Sequence, residues 1–464
     1  MHAPTTFAII AGGVDAAPDH DPLIGETIAG YRITTLIGEG GMGRVYQAVL
    51  PSINAQVAIK VLSVEVASEP DIAERFVAEA KIANLVRHDG LVNVIGIGVV
   101  PDGRPYQIME LLHGATLAEL IRRRGRLPLG TACIALCEGL RALAALHAGG
   151  VVHRDVKSSN LFVTTGGHVK LIDFGIAKLV AAHGITQSGQ TLGTPEYMAP
   201  EQLEGVTIDE RADVYSMGVV LFEAATGDRP FKGRVLEALA AKSRPPSAGG
   251  PPGLDVVIGK AMEPDRTKRY ADALEMEQAL QAFAQTLAED QFSPLADGPE
   301  LPPVTKNLPT RNDLPAAVRD APTRPSVEQM LGRYEVRGVL GKGAAGIVME
   351  GFDPLIQRRV ALKVLHPNKS HRDRLIREAQ AMAKVADPNI VTLYELGDDG
   401  SKMFLAMELV DGTDLASWLH EARDWREIVR VFVAAGRGLE AAHAGGIVHR
   451  DFKQIGRASC RERV

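Results

Sequence analysis

His153-Arg154-Asp155-Val156-Lys157-Ser158-Ser159-Asn160 is the stretch on which the reading turns. It offers Asp155 as a carboxylate that can accept a hydroxyl proton, and Asn160 as a source of an amide oxygen for a metal. Downstream, Asp173-Phe174-Gly175 adds a hard anionic ligand of the kind Mg2+ takes. Upstream lies Gly38-Glu39-Gly40-Gly41-Met42-Gly43, a loop whose backbone can approach phosphates closely and turn its amides toward their charge. Lys60 follows on the strand-like run Val57-Ala58-Ile59, at the separation a hairpin gives. Glu79, within Phe76-Val77-Ala78-Glu79-Ala80 on the next amphipathic stretch, is a carboxylate able to hold that lysine in place. Singly each has an ordinary explanation: a tight turn, a solvated strand end, a surface charge. In this order, together, they describe phosphate chemistry.

Much of the set recurs. Tyr334-Glu335-Val336 opens a block that retraces the one opened by Tyr31-Arg32-Ile33, with Gly341-Lys342-Gly343-Ala344-Ala345-Gly346, then Lys363 after Val360-Ala361, then His449-Arg450-Asp451. The chain's 464 residues exceed a usual single domain, so a duplication fits the length. Between the blocks, the proline-rich stretch 293–325 shows neither alternation nor a helical stripe and reads as linker. The segment before Tyr31, mostly Ala, Gly, Pro and Asp, reads as a mobile leader. Leu136, Leu140, Leu143 and Leu146 recur at helical steps before Gly149-Gly150 ends the run.

On these motifs the chain resembles the bacterial eukaryotic-like (Hanks-type) serine/threonine protein kinases, with two kinase domains in tandem and the second truncated. The likeness runs motif by motif through the glycine loop, the strand lysine, the His-Arg-Asp loop and Asp-Phe-Gly. The resemblance implies an α+β, protein-kinase-like bilobal fold: an antiparallel β N-lobe with one helix and a mostly helical C-lobe, followed by a second partial copy. It implies ATP and Mg2+ as cofactors. Asp155 would orient and deprotonate the acceptor hydroxyl, Lys157 would steady the moving phosphoryl group, and Asn160 and Asp173 would hold Mg2+. Lys60, fixed by Glu79, would clamp phosphates beneath Gly38, Gly40 and Gly43. Val45, Ala58 and Phe162 would line the adenine slot, with Met109 at its back and Glu110 to Leu112 as the hinge.

Lys157, two residues after the aspartate, is similar to serine/threonine kinases. Gly193-Thr194-Pro195-Glu196-Tyr197-Met198-Ala199-Pro200-Glu201 resembles the peptide-positioning segment of protein kinases, so protein hydroxyls are the expected substrates. Asp213 and Arg269 match family positions that brace the catalytic loop and pair with Glu201. Arg154 can bind a phosphate on the activation segment, for which Thr186, Ser188 and Thr191 are candidates, with self-association for autophosphorylation.

The second block keeps Lys363, the partner candidate Glu378 and a hinge at 407–410, so it retains the means to cradle a nucleotide. Gly456 stands where the family pattern asks for asparagine, and no Asp-Phe-Gly follows. The helix carrying Ile428, Val431, Phe432, Ala435 and Leu439 is expected to expose an apolar stripe. Residues 454–464 resemble translated adapter sequence, an artefact of assembly; a short tail for acidic partners is the alternative. The expected layout is leader 1–30, complete kinase domain 31–284, linker 285–330, partial kinase domain 331–453 and tail 454–464. An active kinase is the leading reading; the alternative is a regulatory or scaffold protein whose second block binds nucleotide or partners without catalysis.

Composition narrows the partners. A net charge of −6 gives no basic excess, so neither nucleic acid nor an anionic membrane is expected. Cys133, Cys137 and Cys460 form no disulfide framework, which fits a reducing cytoplasm. The patch Phe7 to Ala11 lacks a preceding basic region, and no uninterrupted apolar run is long enough to span a bilayer. Arg122-Arg123-Arg124 with Arg126 reads as a solvated loop.

Overall fold

Residues 21–173, 195–231, 242–295 and 329–448, apart from short gaps within them, are described by the computed structural model. The chain divides into two units, Met1–Ala48 with Val57–Pro302, and Val49–Gln56 with Pro303–Val464.

The first part opens with strands β1 (Thr27–Ile28), β2 (Tyr31–Gly40), β3 (Gly43–Leu50), β4 (Ala55–Leu62), β5 (Val94–Val99) and β6 (Pro105–Glu110). They form one sheet in the order β1-β2-β3-β4-β6-β5. The glycine loop is the turn from β2 to β3. At Gly43 φ is +151°, and an added Cβ would stand 2.1 Å from the Val61 carbonyl oxygen, so no side chain fits there. In β4, Val57 to Leu62 are all buried, the continuous apolar pattern of a central strand, and Lys60 alone interrupts it. The β4–β6 ladder is antiparallel and sets Lys60 opposite Gln107 and Ala58 opposite Met109. Helices α1 (Val64–Ala67) and α2 (Pro70–Leu85) follow β4, and Pro70 sits at the start of α2 where its missing N–H costs nothing.

The helical lobe contains α3 (Leu117–Arg124), α4 (Leu129–Ala148), α5 (Pro200–Glu204), α6 (Arg211–Thr226), α7 (Pro252–Ala261) and α8 (Ala273–Ala284). A small three-stranded sheet joins β7 (Gly114–Thr116), β8 (Leu161–Thr164) and β9 (Val169–Leu171). Thr116 starts α3 through a capping box with Glu119. The leucines at 136, 140, 143 and 146 are buried along α4, which ends at Gly149 with Gly150 at φ +76°, as the spacing predicts. Small residues let neighbours approach: a Cβ on Gly139 would lie 3.0 Å from Leu161 and 3.3 Å from Met217. Among the described residues α4 alone is long and apolar enough to cross a membrane, and it is the buried core helix of this lobe. Burial pushes the Cys133 thiol up to about 12 and raises that of Cys137 further.

Two segments read as leader and linker carry ordered structure. Asp21 is buried and accepts from Tyr46 Oη at 2.9 Å and Arg44 at 3.2 Å, and Thr27–Ile28 pair with β2. Beyond α8, Phe292 lies against Gly130, Leu295 is buried, and Thr131 Oγ1 donates to the Ser293 carbonyl at 2.9 Å. A buried carboxylate anchors the first segment and isolated apolar side chains the second, signals that average composition hides. Likewise Arg122 to Arg124 form the last turn of α3 rather than a loop, and Arg124 donates to the Pro294 carbonyl at 3.1 Å.

The second part repeats the sheet: β10 (Gln329–Leu331), β11 (Tyr334–Gly343), β12 (Gly346–Asp353), β13 (Arg358–Val364), β14 (Leu393–Asp398) and β15 (Met403–Glu408), in the order β10-β11-β12-β13-β15-β14. This is the order of the first sheet, with Lys363 opposite Leu405. Helices α9 (Leu415–Trp418) and α10 (Trp425–Ala444) follow. Phe432 is exposed as expected, but Ile428, Val431, Ala435 and Leu439 are half-buried. Trp425, Val429 and Val433 complete the exposed apolar face. Matched through Ala-His-Ala-Gly-Gly and Leu-His-Ala-Gly-Gly, α4 puts Cys133, Leu136 and Cys137 where α10 has Val429, Phe432 and Val433. In α4 those positions are buried, on a helix that packs against α6 and α8.

A buried ion pair closes the helical lobe. Arg269 forks onto Glu201 at 2.6 and 2.8 Å and spends its other three donors on the carbonyls of Glu263, Arg211 and Pro264. All five guanidinium donors are therefore used. Arg269→Met strands the Glu201 carboxylate, and unfolding of the full chain followed by circular dichroism should show the first unit losing roughly 3–5 kcal/mol.

Candidate active site

Asp213, in the first turn of α6, organises the loop at 153–160. Its fully buried carboxylate accepts from the backbone N–H groups of His153 and Arg154, both at 2.7 Å, and lies 2.8 Å from His147 Nε2. The N-terminal end of a helix favours this negative charge. The grip holds Arg154 at φ +66°, a left-handed conformation that a non-glycine residue adopts at a cost. Beyond it, the backbone N–H of Asp155 donates to His153 Nδ1 at 3.2 Å.

Asp155 is then fixed from two sides. Its Oδ2 lies 3.0 Å from Lys157 Nζ and accepts from Asn160 Nδ2 at 3.0 Å. The same amide group donates to the Asp155 carbonyl at 2.9 Å and reaches the Asp173 carbonyl at 3.5 Å. Asp173 follows β9, is tied to the loop by the Ile172 N–H donating to the Asn160 carbonyl at 2.9 Å, and has φ +54°. Its Oδ1 meets Lys60 Nζ at 2.6 Å. Lys60, Asp173, Asn160 and Asp155 thus form one connected set, drawn from a strand, a strand end and a loop that are far apart in sequence.

The remaining candidates have definite places. Val45, Ala58, Met109, Leu112 and Phe162 are buried, on β3, β4, β6, just after β6, and β8 respectively. Gly38 and Gly40 close β2, and Gly43 opens β3. Glu110 ends β6, where its Oε1 accepts from Lys170 Nζ at 2.7 Å and the Asn93 N–H at 2.8 Å. Glu79 lies on α2, but its side chain is outside the described residues, as are Phe174, Gly175, Thr186, Ser188, Thr191, Glu378 and His449-Arg450-Asp451.

The donor set suits a hard cation. Asn160 commits its NH2 group to Asp155, and the same group reaches the Asp173 carbonyl at 3.5 Å, so its amide oxygen remains as the acceptor that group does not use. Among the described residues no cluster of three His, Cys, Asp or Glu forms a complete protein cage. A carboxylate and an amide oxygen are what Mg2+ uses when phosphates and water supply its remaining ligands. Arg154 presents the opposite charge: its Nε and Nη1 are buried and have no hydrogen-bond partner among the described residues. Burial lowers its pKa, against the pull of Asp213.

Glu223, Gln202 and the contacts of Tyr197 and Ser158 escaped the sequence reading. Tyr197 Oη donates to Glu223 Oε2 at 2.5 Å and pairs with Ser158 Oγ at 3.0 Å, while Gln202 Nε2 donates to the Arg154 carbonyl at 3.0 Å. Their one-dimensional signal is slight: Glu223 is a lone carboxylate in the apolar second half of α6, and Gln202 is one of several polar residues in the short α5.

A family model described as the protein kinase domain matches residues 31–247 and 334–455. The chain belongs to the protein kinase family. Serine/threonine-protein kinase PknA of Mycobacterium tuberculosis is 45% identical over 217 residues, covering 46% of this kinase and 50% of PknA. Pkn1 of Myxococcus xanthus is 40% identical, covering 56% of this kinase and 39% of that protein. PknL of Mycobacterium bovis is 37% identical, covering 56% and 67%. The kinase therefore spans half the length of PknA and less of Pkn1. Among solved structures, the Mycobacterium tuberculosis PknI kinase domain is 27% identical, covers 57% of this kinase and 99% of that chain, and gives a TM-score of 0.47.

Two imidazoles, the fully buried His153 and the half-buried His88, set an acid limit. Burial lowers the pKa of His153, against the opposing charges of Asp213, Asp155 and Asp173, and burial lowers that of His88 as well. Each accepts a backbone N–H on Nδ1, from Asp155 and from Gly90 respectively, which requires the neutral ring. Below pH 6.5, the ordinary histidine value, the unfolded chain binds protons the folded one refuses, so stability falls with pH. Each group should contribute a slope approaching about 1.4 kcal/mol per pH unit. Urea titrations between pH 7 and 5 should show His153→Asn reducing that slope, whatever its effect on stability at neutral pH.

Proposed function

We propose that this kinase transfers the γ-phosphoryl group of ATP to serine and threonine hydroxyls of proteins, with Mg2+ as its metal. The supporting observation is the convergence of Lys60, Asp173, Asn160 and Asp155, joined at 2.6 Å between Lys60 and Asp173 and 3.0 Å between Asn160 and Asp155. Asp155 orients the acceptor hydroxyl and takes its proton. Lys157 stabilises charge on the phosphoryl group in transfer, and Lys60, held also by Glu79, binds phosphate oxygens under the backbone of Gly38, Gly40 and Gly43. Asn160 Oδ1 and Asp173 hold Mg2+, whose contribution is to neutralise charge on the phosphate oxygens. Val45, Ala58, Met109, Leu112 and Phe162 receive the base, with the backbone at Glu110 to Leu112 as the hinge. The segment at 195–201 seats the acceptor peptide.

Activation runs through Arg154. Its buried, incompletely bonded guanidinium is an anion site that a phosphate on Thr186, Ser188 or Thr191 fills, placed there by one kinase molecule acting on another. The working layout is a kinase domain at 31–284 and a second, partial one at 331–453, in which Lys363 holds nucleotide without chemistry. The cytoplasm is the compartment that supplies ATP and keeps the thiols reduced.

Asp155→Asn in the full chain should lower kcat for radioactive phosphate transfer by about 10²–10⁴-fold. Stabilisation by Mg2+ and ATP should persist in that variant and weaken in Asp173→Asn. Phosphate mapped at Thr186, Ser188 or Thr191 in Asp155→Asn protein from a kinase-free host would rule out self-modification, and undiminished transfer by that variant would overturn the assignment of Asp155.

A further inference from the structure

Three successive carbonyls of the segment 195–201 are held from beneath. Lys242 Nζ donates to the carbonyl of Glu196 at 3.0 Å and to that of Met198 at 2.6 Å. Between them, the Tyr197 carbonyl accepts from Ser216 Oγ of α6 at 2.8 Å. The ammonium of Lys242 stands 5.1 Å from the centre of the Tyr215 ring and 4.7 Å from that of Phe231. Only 1% of this lysine is exposed. A lysine is rarely buried so fully, and among the described residues this one has neither a carboxylate bonded to it nor a solvent-facing tip. Its charge is balanced by two backbone dipoles and two aromatic faces.

The same segment is tied on its other side to the loop carrying Asp155. Tyr197 Oη pairs with Ser158 Oγ at 3.0 Å, and Gln202 bridges the Ala199 N–H, at 2.9 Å, to the Arg154 carbonyl, at 3.0 Å. The backbone at 196–198 therefore lies between a fixed catalytic loop and a buried cation. A shift of that backbone moves whatever rests on it.

We propose that Lys242 is a positioning residue for the acceptor: its ammonium clamps the Glu196 and Met198 carbonyls and so sets the affinity for the peptide that is phosphorylated, without touching ATP. The inference rests on the kinase reading above and deepens it at the acceptor site. The charged and titratable groups around Lys242 are Glu196 on the segment, Glu201 on α5, Arg269 before α8 and Tyr215 on α6. Burial pulls the lysine pKa down to about 7, with Glu196 opposing, so the clamp weakens as pH rises through neutrality.

The test compares the full chain with Lys242→Met, which keeps the length and apolar packing, Lys242→Gln as a second neutral replacement, and Lys242→Arg, which keeps the charge. A mixed serine/threonine peptide library supplies the best acceptor for steady-state kinetics. Both neutral variants should raise the acceptor KM about tenfold and leave the ATP KM within twofold, and Lys242→Arg should raise the acceptor KM less. For the wild type the acceptor KM should climb between pH 6 and 8; in Lys242→Met it should stay flat. Hydrogen exchange should quicken in the peptide covering 195–203 and hold steady in that covering 150–163. An active wild type with an unchanged acceptor KM in both neutral variants, or acceptor and ATP KM rising together, would overturn the clamp alone. A wild type that moves no phosphate to any library peptide would overturn the kinase reading and the clamp with it.

Discussion

One buried carboxylate carries the architecture of the site. Asp213 has no access to water and accepts two backbone N–H groups from the loop ahead of Asp155 and faces the ring of His147. Bonds from a carboxylate to amides contribute about 1.5–3 kcal/mol each, enough to offset a left-handed Arg154. Because α6 is buried almost all round, the carboxylate cannot move, and the loop inherits that rigidity. The positions of Asp155, Lys157 and Asn160 follow from a helix that none of them belongs to.

The site is assembled from elements that converge rather than from one rigid element. The Lys60 strand lies in the first six-stranded sheet, Asp173 follows β9, and Asn160 belongs to the loop before β8. Their contacts are charged and local, so they hold geometry more than they hold the fold. The fold's own anchor is elsewhere: Arg269 and Glu201 share a saturated hydrogen-bond network in the helical lobe. The two carboxylates of the site differ in exposure, and Asp155 keeps only 9% of its side-chain surface. Asp173 retains about a third of its side-chain surface, whereas Glu201 and Asp213 are nearly sealed.

Elements whose physics is local were legible in advance. The leucines of α4 required a buried face ending at the glycine pair, and both are observed; the close approach of Gly43 to the Val61 carbonyl is a further reason for glycine there that spacing alone did not reveal. The repeat was visible as a recurrence of motifs, and the second sheet reproduces the strand order of the first. Less legible were segments defined by a few anchors. Asp21, Phe292 and Leu295 fasten stretches whose average composition looks like leader and linker. On α10 the face that stays exposed is centred on Trp425, Val429 and Val433, because exposure depends on which neighbours pack, and helical spacing alone cannot rank faces that are both apolar.

The sequence by itself determined the family, since residue type, order and spacing are enough to place both blocks with the protein kinase domain. Only the tertiary structure decided who holds whom: Lys60 against Asp173, Asp213 beneath the catalytic loop, and Lys242 beneath the segment at 196–198. Those partners are separated by many residues of chain. Their meeting depends on helix and strand packing, a property that local pattern does not encode.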